Sequence, residues 1–179
     1  MKALVPVANG TESLEAVTLI NIMRRGGVNV IVASIESELE VVGTLDIPLK
    51  ADVLFKDVVT QEFDLIALPG GQVGAENLAA HKPLIEKLHA QRIAHKWYGA
   101  ICAAPALVLS PHGLLDGKQA TCYPMLRDKL IHYVDQPVVV DGHCITSQGP
   151  ATSVAFGIKL VEILCGIDKS KQVAGGLLA

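Results

Sequence analysis

Cys102 has the clearest potential for nucleophilic chemistry in this sequence because of where it stands. Residues 97–102 form an apolar segment that predicts a strand, and residues 103–109 predict a helix, so Cys102 falls at the turn between them. A turn of this kind exposes the nucleophile of many hydrolases, and the free N–H groups of the following helix should lower the thiol pKa from about 8.5. The alternative is an ordinary buried core cysteine, a common fate for this residue type.

Two other features of the sequence could assist such a thiol. Gly70 and Gly71 follow the apolar segment 64–68, and their bare N–H groups could bind a developing oxyanion, although paired glycines also mark ordinary turns. Glu15 lies early in the first predicted helix. In an apolar crevice its carboxyl would have a raised pKa and could donate to a thiolate or move a proton. Periodicity alone, however, favours an exposed Glu15.

Strand and helix signals alternate along the chain and would position these residues. Helix signals begin at Thr11, a candidate N-cap, and end at Gly26-Gly27, while residues 36–50 predict a β-hairpin. The remaining predicted strands cover residues 2–8, 29–35, 64–68, 97–102, 119–122, 138–140 and 145–147. The remaining predicted helices cover 77–94 with a break at 81–83, then 103–109, 153–165, and a short one from 169 onward.

This alternation predicts one α/β domain over residues 1–179, with a mostly parallel open sheet and helices on both faces. In such sheets ligands bind beyond the carboxyl ends of the strands, close to the switch in strand order. The rule selects residues 9–15, 70–71, 102–104 and 147–149 as the site.

Composition and charge exclude several function classes. The 179 residues are 50% hydrophobic but only 4% aromatic, with a net charge of −3, which gives no electrostatic basis for binding nucleic acid or an anionic membrane. The longest apolar run, 100–109, contains Pro105 and is too short to span a bilayer, and the N-terminal apolar run is too short for a signal peptide. We therefore expect a soluble, cytoplasmic protein. Its four cysteines form no C-x-x-C pair, so we expect free thiols and no metal site.

Four motifs in order resemble the ThiJ/PfpI superfamily, and within it the branch of Parkinson disease protein 7 and YajL. They are ANGTESLEAV at 8–17, ALPGG at 67–71, AICAAPA at 100–106 and TSQGPATS at 146–153. The resemblance runs nearly end to end. It implies a flavodoxin-like three-layer sandwich, similar to class I glutamine amidotransferases, and a homodimer.

The resemblance also implies roles for individual residues. Cys102 matches the family's oxidation-sensitive nucleophile, and Glu15 matches its protonated glutamate. Gly71 and Ala103 match the backbone amides of its anion pocket, with Gly70 and Tyr123 as further pocket candidates. No cofactor and no metal are implied.

Two departures from the family pattern narrow the function. Protease-like members place a histidine directly after the nucleophile, where this chain has Ala103, so a Cys–His protease is disfavoured. Animal members carry a histidine where this chain has Tyr123, and none of the six histidines falls in a family catalytic motif. Proton transfer would then depend on Glu15 and water.

The resemblance supports two hypotheses from different classes. The first is a cofactor-independent glyoxalase or protein deglycase, which uses Cys102 against methylglyoxal-like dicarbonyls or their adducts on protein side chains. The second is an oxidative-stress sensor or holding chaperone whose Cys102 is oxidised to sulfinate without turnover. An older family label, thiazole monophosphate biosynthesis, gives no mechanism. A third interpretation is a scaffold whose thiol has no role.

Overall fold

A seven-stranded sheet forms the centre of the computed structural model, which describes residues 1–179. In chain order the strands are β1 (Lys2–Val7), β2 (Asn29–Ser34), β3 (Glu40–Val42), β4 (Pro48–Lys50), β5 (Val53–Leu54), β6 (Leu65–Leu68), β7 (Trp97–Ile101), β8 (Val138–Asp141) and β9 (Cys144–Ser147). The sheet order is β5-β2-β1-β6-β7-β9-β8, and only β8 is antiparallel to its neighbour. The parallel core β2-β1-β6-β7-β9 has the 2-1-3-4-5 order of flavodoxin-like folds. The predicted mostly parallel α/β sheet is confirmed.

Helices cover both faces of the sheet and make the fold a three-layer sandwich. They are α1 (Ser13–Arg25), α2 (Gln72–Ala80), α3 (Lys82–Ile93), α4 (Ser153–Cys165) and α5 (Ile167–Leu177). Side chains of α1 and α4 share one core with the strand residues Ala3, Val5 and Val7. Side chains of α2 and α3 share the other core with Leu4 and Ala8. The two cores follow from the alternation of side chains along each buried strand, and α5 packs on the outside of α4.

The hairpin predicted within residues 36–50 is present as the antiparallel pair of β3 and β4. It packs against the start of α1, where the Thr44 N–H donates to the Thr11 carbonyl at 2.9 Å and the Thr44 hydroxyl donates to the Glu12 carboxylate at 2.9 Å. The hairpin therefore braces the segment that leads to Glu15.

Several local predictions were wrong. The N-cap of α1 is Glu12, whose carboxylate accepts the Leu14 N–H, while the Thr11 hydroxyl instead accepts the Ala8 N–H at 3.0 Å. Residues 119–122 form no strand and make one isolated bridge through Ala120. The second helix begins at Gln72 instead of residue 77, and the short strand β5 was not anticipated.

The helical segment after Cys102 also differs from its prediction in type. Residues Pro105–Leu109 form a π-helical turn, which is wider than an α-helix. Such turns are rare and concentrate at functional sites. None of the helices is both long enough and apolar enough to cross a membrane.

Candidate active site

Cys102 directly follows β7 and has a backbone conformation that is unusual for a residue with a side chain. Its φ is +63°, in the left-handed region that costs a non-glycine residue about 1–2 kcal/mol. Two neighbouring segments hold it there: the Cys102 N–H donates to the Ser147 carbonyl at 3.0 Å, and the Tyr123 N–H donates to the Cys102 carbonyl at 2.7 Å. A strained residue over-determined by its surroundings is a common feature of active sites.

Gly70 lies against both Cys102 and Glu15 so closely that no side chain fits at this position. A Cβ placed on Gly70 would lie 2.6 Å from the Cys102 Cβ and 2.7 Å from Glu15 Oε2. Both distances are far below van der Waals contact, so either the sulfur or the carboxyl would have to move. The first glycine of the pair thus permits the contact between cysteine and glutamate.

Glu15 is fully buried, so the exposed position favoured by periodicity was wrong. Its Oε2 accepts the Gly70 N–H at 2.7 Å, and the carboxyl also hydrogen-bonds the Cys102 thiol. Burial raises the pKa of Glu15 to about 7, against the lowering effect of these two hydrogen bonds. The second oxygen, Oε1, has no hydrogen-bond partner, which adds to the cost of a charged carboxylate. A carboxyl with a pKa near neutrality can both accept and donate a proton.

The thiol itself does not have the lowered pKa that the sequence suggested. Burial and then the adjacent Glu15 carboxyl raise the pKa of Cys102 to about 12, while hydrogen bonds from the Gly71 and Ala103 amides lower it. Desolvation of the sulfur and the neighbouring acid outweigh the stabilisation of a thiolate by the backbone amides. The Glu15 contribution depends on its own proton, because a carboxylate repels a thiolate whereas a neutral carboxyl donates to it.

Gly71 and Ala103 present their main-chain N–H groups to the Cys102 sulfur from two different elements. Gly71 precedes α2 with a φ of +85°, and a Cβ there would collide with the Gly10 carbonyl oxygen. The amide orientation therefore requires glycine. Two donors converging on one sulfur could stabilise negative charge on a group bonded to it.

Tyr123 contributes its backbone to the site and its side chain to the rim. Tyr123 is 40% exposed and lines a shallow groove of about 230 Å³ with Pro124 and residues 148–152. Next to this groove the buried Ser147 hydroxyl contacts the Thr152 hydroxyl at 2.6 Å and donates to the Pro137 carbonyl at 2.7 Å. These contacts fix the segment that holds the Cys102 N–H.

Ser147 lies within the segment 147–149 that the strand-end rule selected, but its positioning role was not anticipated, and Thr152 was missed altogether. Their signal was available, since both lie in the TSQGPATS motif, but a carbonyl acceptor carries no side-chain signature. The other three cysteines lie elsewhere: Cys122 and Cys144 are buried and Cys165 is partly buried near the end of α4. His112 contacts the Ala79 carbonyl at 3.1 Å. No group of three or more His, Cys, Asp and Glu side chains could hold a metal ion.

The sequence is similar to proteins of one known family. Residues 1–163 match the model of the DJ-1/PfpI family. The chain is 45% identical over 177 residues to protein DJ-1 homolog B of Arabidopsis thaliana. The aligned region covers 98% of this chain but only 40% of that protein. It is 34% identical over 166 residues to the glutathione-independent glyoxalase DJR-1.2 of Caenorhabditis elegans, covering 90% of this chain and 87% of the relative.

The fold agrees with the sequence comparison. Oxidised DJ-1 of Toxoplasma gondii superimposes with a TM-score of 0.97 at 38% identity, covering 99% of this chain and 97% of that one. The chain spans less than half the length of the Arabidopsis relative, but nearly the full length of the Toxoplasma one. The chain belongs to the DJ-1/PfpI family, with its flavodoxin-like three-layer fold.

Proposed function

We propose that this chain is a cysteine-dependent, cofactor-independent glyoxalase or protein deglycase acting on methylglyoxal-like dicarbonyls or their adducts on protein side chains. The observation that carries the proposal is the convergence on one sulfur of a near-neutral carboxyl, Glu15, and two amide donors, Gly71 and Ala103. A relative that carries the name glyoxalase at 34% identity supports the same chemistry.

The first step is addition of the thiol to the aldehyde carbon of the dicarbonyl. As the S–C bond forms, the Glu15 carboxylate takes the thiol proton, which resolves the difficulty of a thiol pKa of about 12 because no free thiolate has to accumulate. The carbonyl π electrons move to oxygen, and the Gly71 and Ala103 amides stabilise that oxyanion. The Glu15 carboxyl returns this proton to the oxygen, which completes the hemithioacetal and restores the Glu15 carboxylate.

The second step moves hydrogen within the bound substrate. Glu15 removes the proton from the carbon bonded to sulfur, giving an enediol, and a proton returns to the neighbouring carbon. The product is a thioester of a 2-hydroxy acid on Cys102. Water then cleaves the S–C bond, so methylglyoxal plus water gives lactate and the thiol is restored. With a protein adduct, Cys102 would displace the side chain from the carbinol carbon: the bond from that carbon to the side-chain nitrogen or sulfur breaks, and the thiol proton passes to this leaving group. The same rearrangement and thioester hydrolysis then give lactate, so the net reaction is a hydrolysis.

Lactate formation from methylglyoxal tests the proposal directly. Cys102→Ser should lose at least about 10³-fold in kcat/KM, because the hydroxyl is a far weaker nucleophile. Cys165→Ser is the matched control, since this thiol is also partly buried but lies at the C-terminal end of α4. Equal lactate production by the wild type and Cys102→Ser would reject the mechanism.

A second function, oxidative-stress sensing or holding chaperone activity, rests on the same two amides. A sulfinate on Cys102 is an anion that Gly71 and Ala103 would stabilise and to which a neutral Glu15 would donate. The likeness to a protein solved in an oxidised form favours this reading. Mild peroxide should then add two oxygens to Cys102 alone by intact mass and peptide mapping, and an unmodified Cys102 would argue against sensing.

We further propose that residues 1–179 act as one domain in a cytoplasmic homodimer, without nucleic acid or membrane partners. The outer side of α1 carries Leu14 and Val17, and the adjoining hairpin carries Val42 and Ile47, all four about half exposed. Apolar side chains grouped in this way are typical of an interface. Light scattering should give a dimer mass for the wild type and a monomer mass for Val17→Asp.

A further inference from the structure

A second cavity lies at the opposite end of β7 from Cys102. It has a volume of about 290 Å³ and lies between the end of α3, the start of β7, the turn 113–117 and the β8–β9 turn. Its walls carry four nitrogen-bearing side chains and one carboxylate, in a chain whose net charge is −3. The lining residues used below are Arg92, His95, Asp116, Gly117, Lys118, Gly142 and His143.

The two permanent cations of this cavity are only weakly neutralised. Arg92 donates to the main-chain carbonyls of Gly113 and Asp116 and forms no salt bridge, so its charge is oriented but not paired. The Lys118 ammonium donates to the Asp141 carbonyl at 3.2 Å and forms a long ion pair of 3.9 Å with Asp141 Oδ1. The other carboxylate oxygen of Asp141 accepts the Gln119 N–H at 2.9 Å.

Several donors of the cavity have no partner in the protein. The rings of His95 and His143 lie with their centroids 5.8 Å apart, and neither makes a hydrogen bond. The main-chain N–H groups of Gly117 and Gly142, both on the lining, donate to no protein group. His95 has a φ of +53° because it ends α3, where the His95 N–H donates to the Arg92 carbonyl at 3.1 Å and the Lys96 N–H donates to the Gln91 carbonyl at 3.0 Å.

The only opposing charge on the lining is the Asp116 carboxylate. A methyl group at Gly113 would meet Asp116 Oδ2 at 3.0 Å, so this carboxylate lies over its own turn. Asp141, which lies outside the lining, is 3.9 Å from the Lys118 ammonium, so two carboxylates balance the two cations, and the two histidines and the free amides remain as donors without partners. Cations anchored by carbonyls together with free amides are the donor set that proteins use for tetrahedral oxyanions.

We infer that this cavity binds a phosphate group, with Lys118 and Arg92 supplying charge and the Gly117 and Gly142 amides and the two histidines supplying further donors. The ligand is inorganic phosphate or a small phosphomonoester, since both present the same dianionic head. The cavity is large enough for a phosphate and a few carbon atoms. The site is separate from the Cys102 chemistry, because β7 runs between them.

Titration with inorganic phosphate and with glycerol 3-phosphate, followed by the amide resonances of Gly117 and Gly142, tests the inference. Both amides should shift saturably in the wild type. Lys118→Gln and His143→Gln should each weaken binding, Lys118→Gln by about tenfold or more. Lys169→Gln, which removes an exposed lysine of α5, is the matched control and should bind as the wild type does. Arg92 is left intact because its two carbonyl contacts support the turn.

The two probes also identify the source of the phosphate. Tighter binding of glycerol 3-phosphate assigns the site to phosphomonoesters, whereas equal or weaker binding assigns it to free phosphate. Lys118→Gln is half-buried and could disturb folding, so its thermal unfolding is measured in parallel, and exposed His143→Gln serves as the second variant. No saturable shift below about 10 mM of either probe, or an equal loss in Lys169→Gln, overturns the inference.

Discussion

Cys102 and Cys144 occupy opposite ends of the paired strands β7 and β9, and they show what makes a thiol functional. Burial raises the pKa of each, to about 12 in both cases. Cys144 is 2% exposed at the start of β9 in regular strand conformation. Cys102 is partly exposed, has a strained backbone and contacts a carboxyl and two free amides. A raised pKa is therefore found both in a structural cysteine, Cys144, and in a candidate catalytic one, Cys102. The groups around each sulfur distinguish the two.

Alkylation should give the largest contrast between these two thiols. In a Cys165→Ser background, iodoacetamide should label Cys102 at least about 10³-fold faster than Cys144, because Cys144 becomes accessible only when the sheet opens, at a cost of several kcal/mol. Peptide mapping after timed quenching measures both rates. Comparable labelling of the two cysteines would mean that the Cys102 end of β7 is as closed as the other.

Gly70 lies in close contact with Cys102 and Glu15, and Cys144 has no such neighbour. We expect this contact to be essential for activity. Gly70→Ala should reduce kcat/KM for methylglyoxal by about 10²-fold or more, because the new Cβ displaces either the sulfur or Glu15. Gly175→Ala in α5 is the matched control, since nothing lies within 4 Å of a Cβ there. The control should keep full activity and gain up to about 1 kcal/mol in stability from helix propensity. An active Gly70→Ala would show that the close contact is dispensable.

Buried Glu15 should make the stability of the protein depend on pH. Its pKa is raised from 4.5 to about 7, so as pH rises the unfolded chain loses this proton first. The folded state is then progressively penalised between pH of about 4.5 and about 7, by about 3 kcal/mol in all. Urea unfolding at pH 5 and pH 7.5 should show this loss in the wild type and a much smaller one in Glu15→Gln. Glu86→Gln, on the exposed side of α3, should behave as the wild type does.

Backbone strain should give the two cysteines opposite responses to glycine. At Cys102, the glycine variant should be more stable than the alanine variant by about 1 kcal/mol, because glycine accepts a positive φ without penalty. At Cys144, in a buried strand, glycine should be less stable than alanine by about 1 kcal/mol. Chemical denaturation of the four variants measures both differences. The same sign at both positions would mean that Cys102 is unstrained.

Much of the fold was predictable from sequence because the strands are buried on both faces. Segments such as LIAL at 65–68 are apolar throughout, and the turns after them contain glycine pairs or Asn-Gly. The two-residue β5 and the misassigned segment 119–122 lack this signal. Their structure depends on contacts with distant parts of the chain, such as the Ala120 bridge to Tyr133.

The candidate site was predictable in position but not in electrostatics. The strand-end rule placed residues 9–15, 70–71, 102–104 and 147–149 together, and hydrogen bonds now join Gly70 to Glu15 and Ser147 to Cys102. The burial of Glu15 could not be read from α1, because Leu14 beside it is the residue that faces outward. The raised pKa of Cys102 follows first from burial of its sulfur and then from that same buried acid. The burial of Glu15 and the pKa of Cys102 could be predicted only by knowing which side of α1 faces the sheet.

The two borders of the central sheet affect how the protein resists aggregation. One border is β5, only two residues long, and the other is β8, four residues long and reversed relative to the strands within. A border this short offers few unpaired main-chain groups on which another chain could grow as an added strand. A protein whose proposed work exposes it to reactive aldehydes and oxidants would meet many damaged, partly unfolded chains. The short edge strands of its own sheet offer such chains few main-chain groups with which to pair.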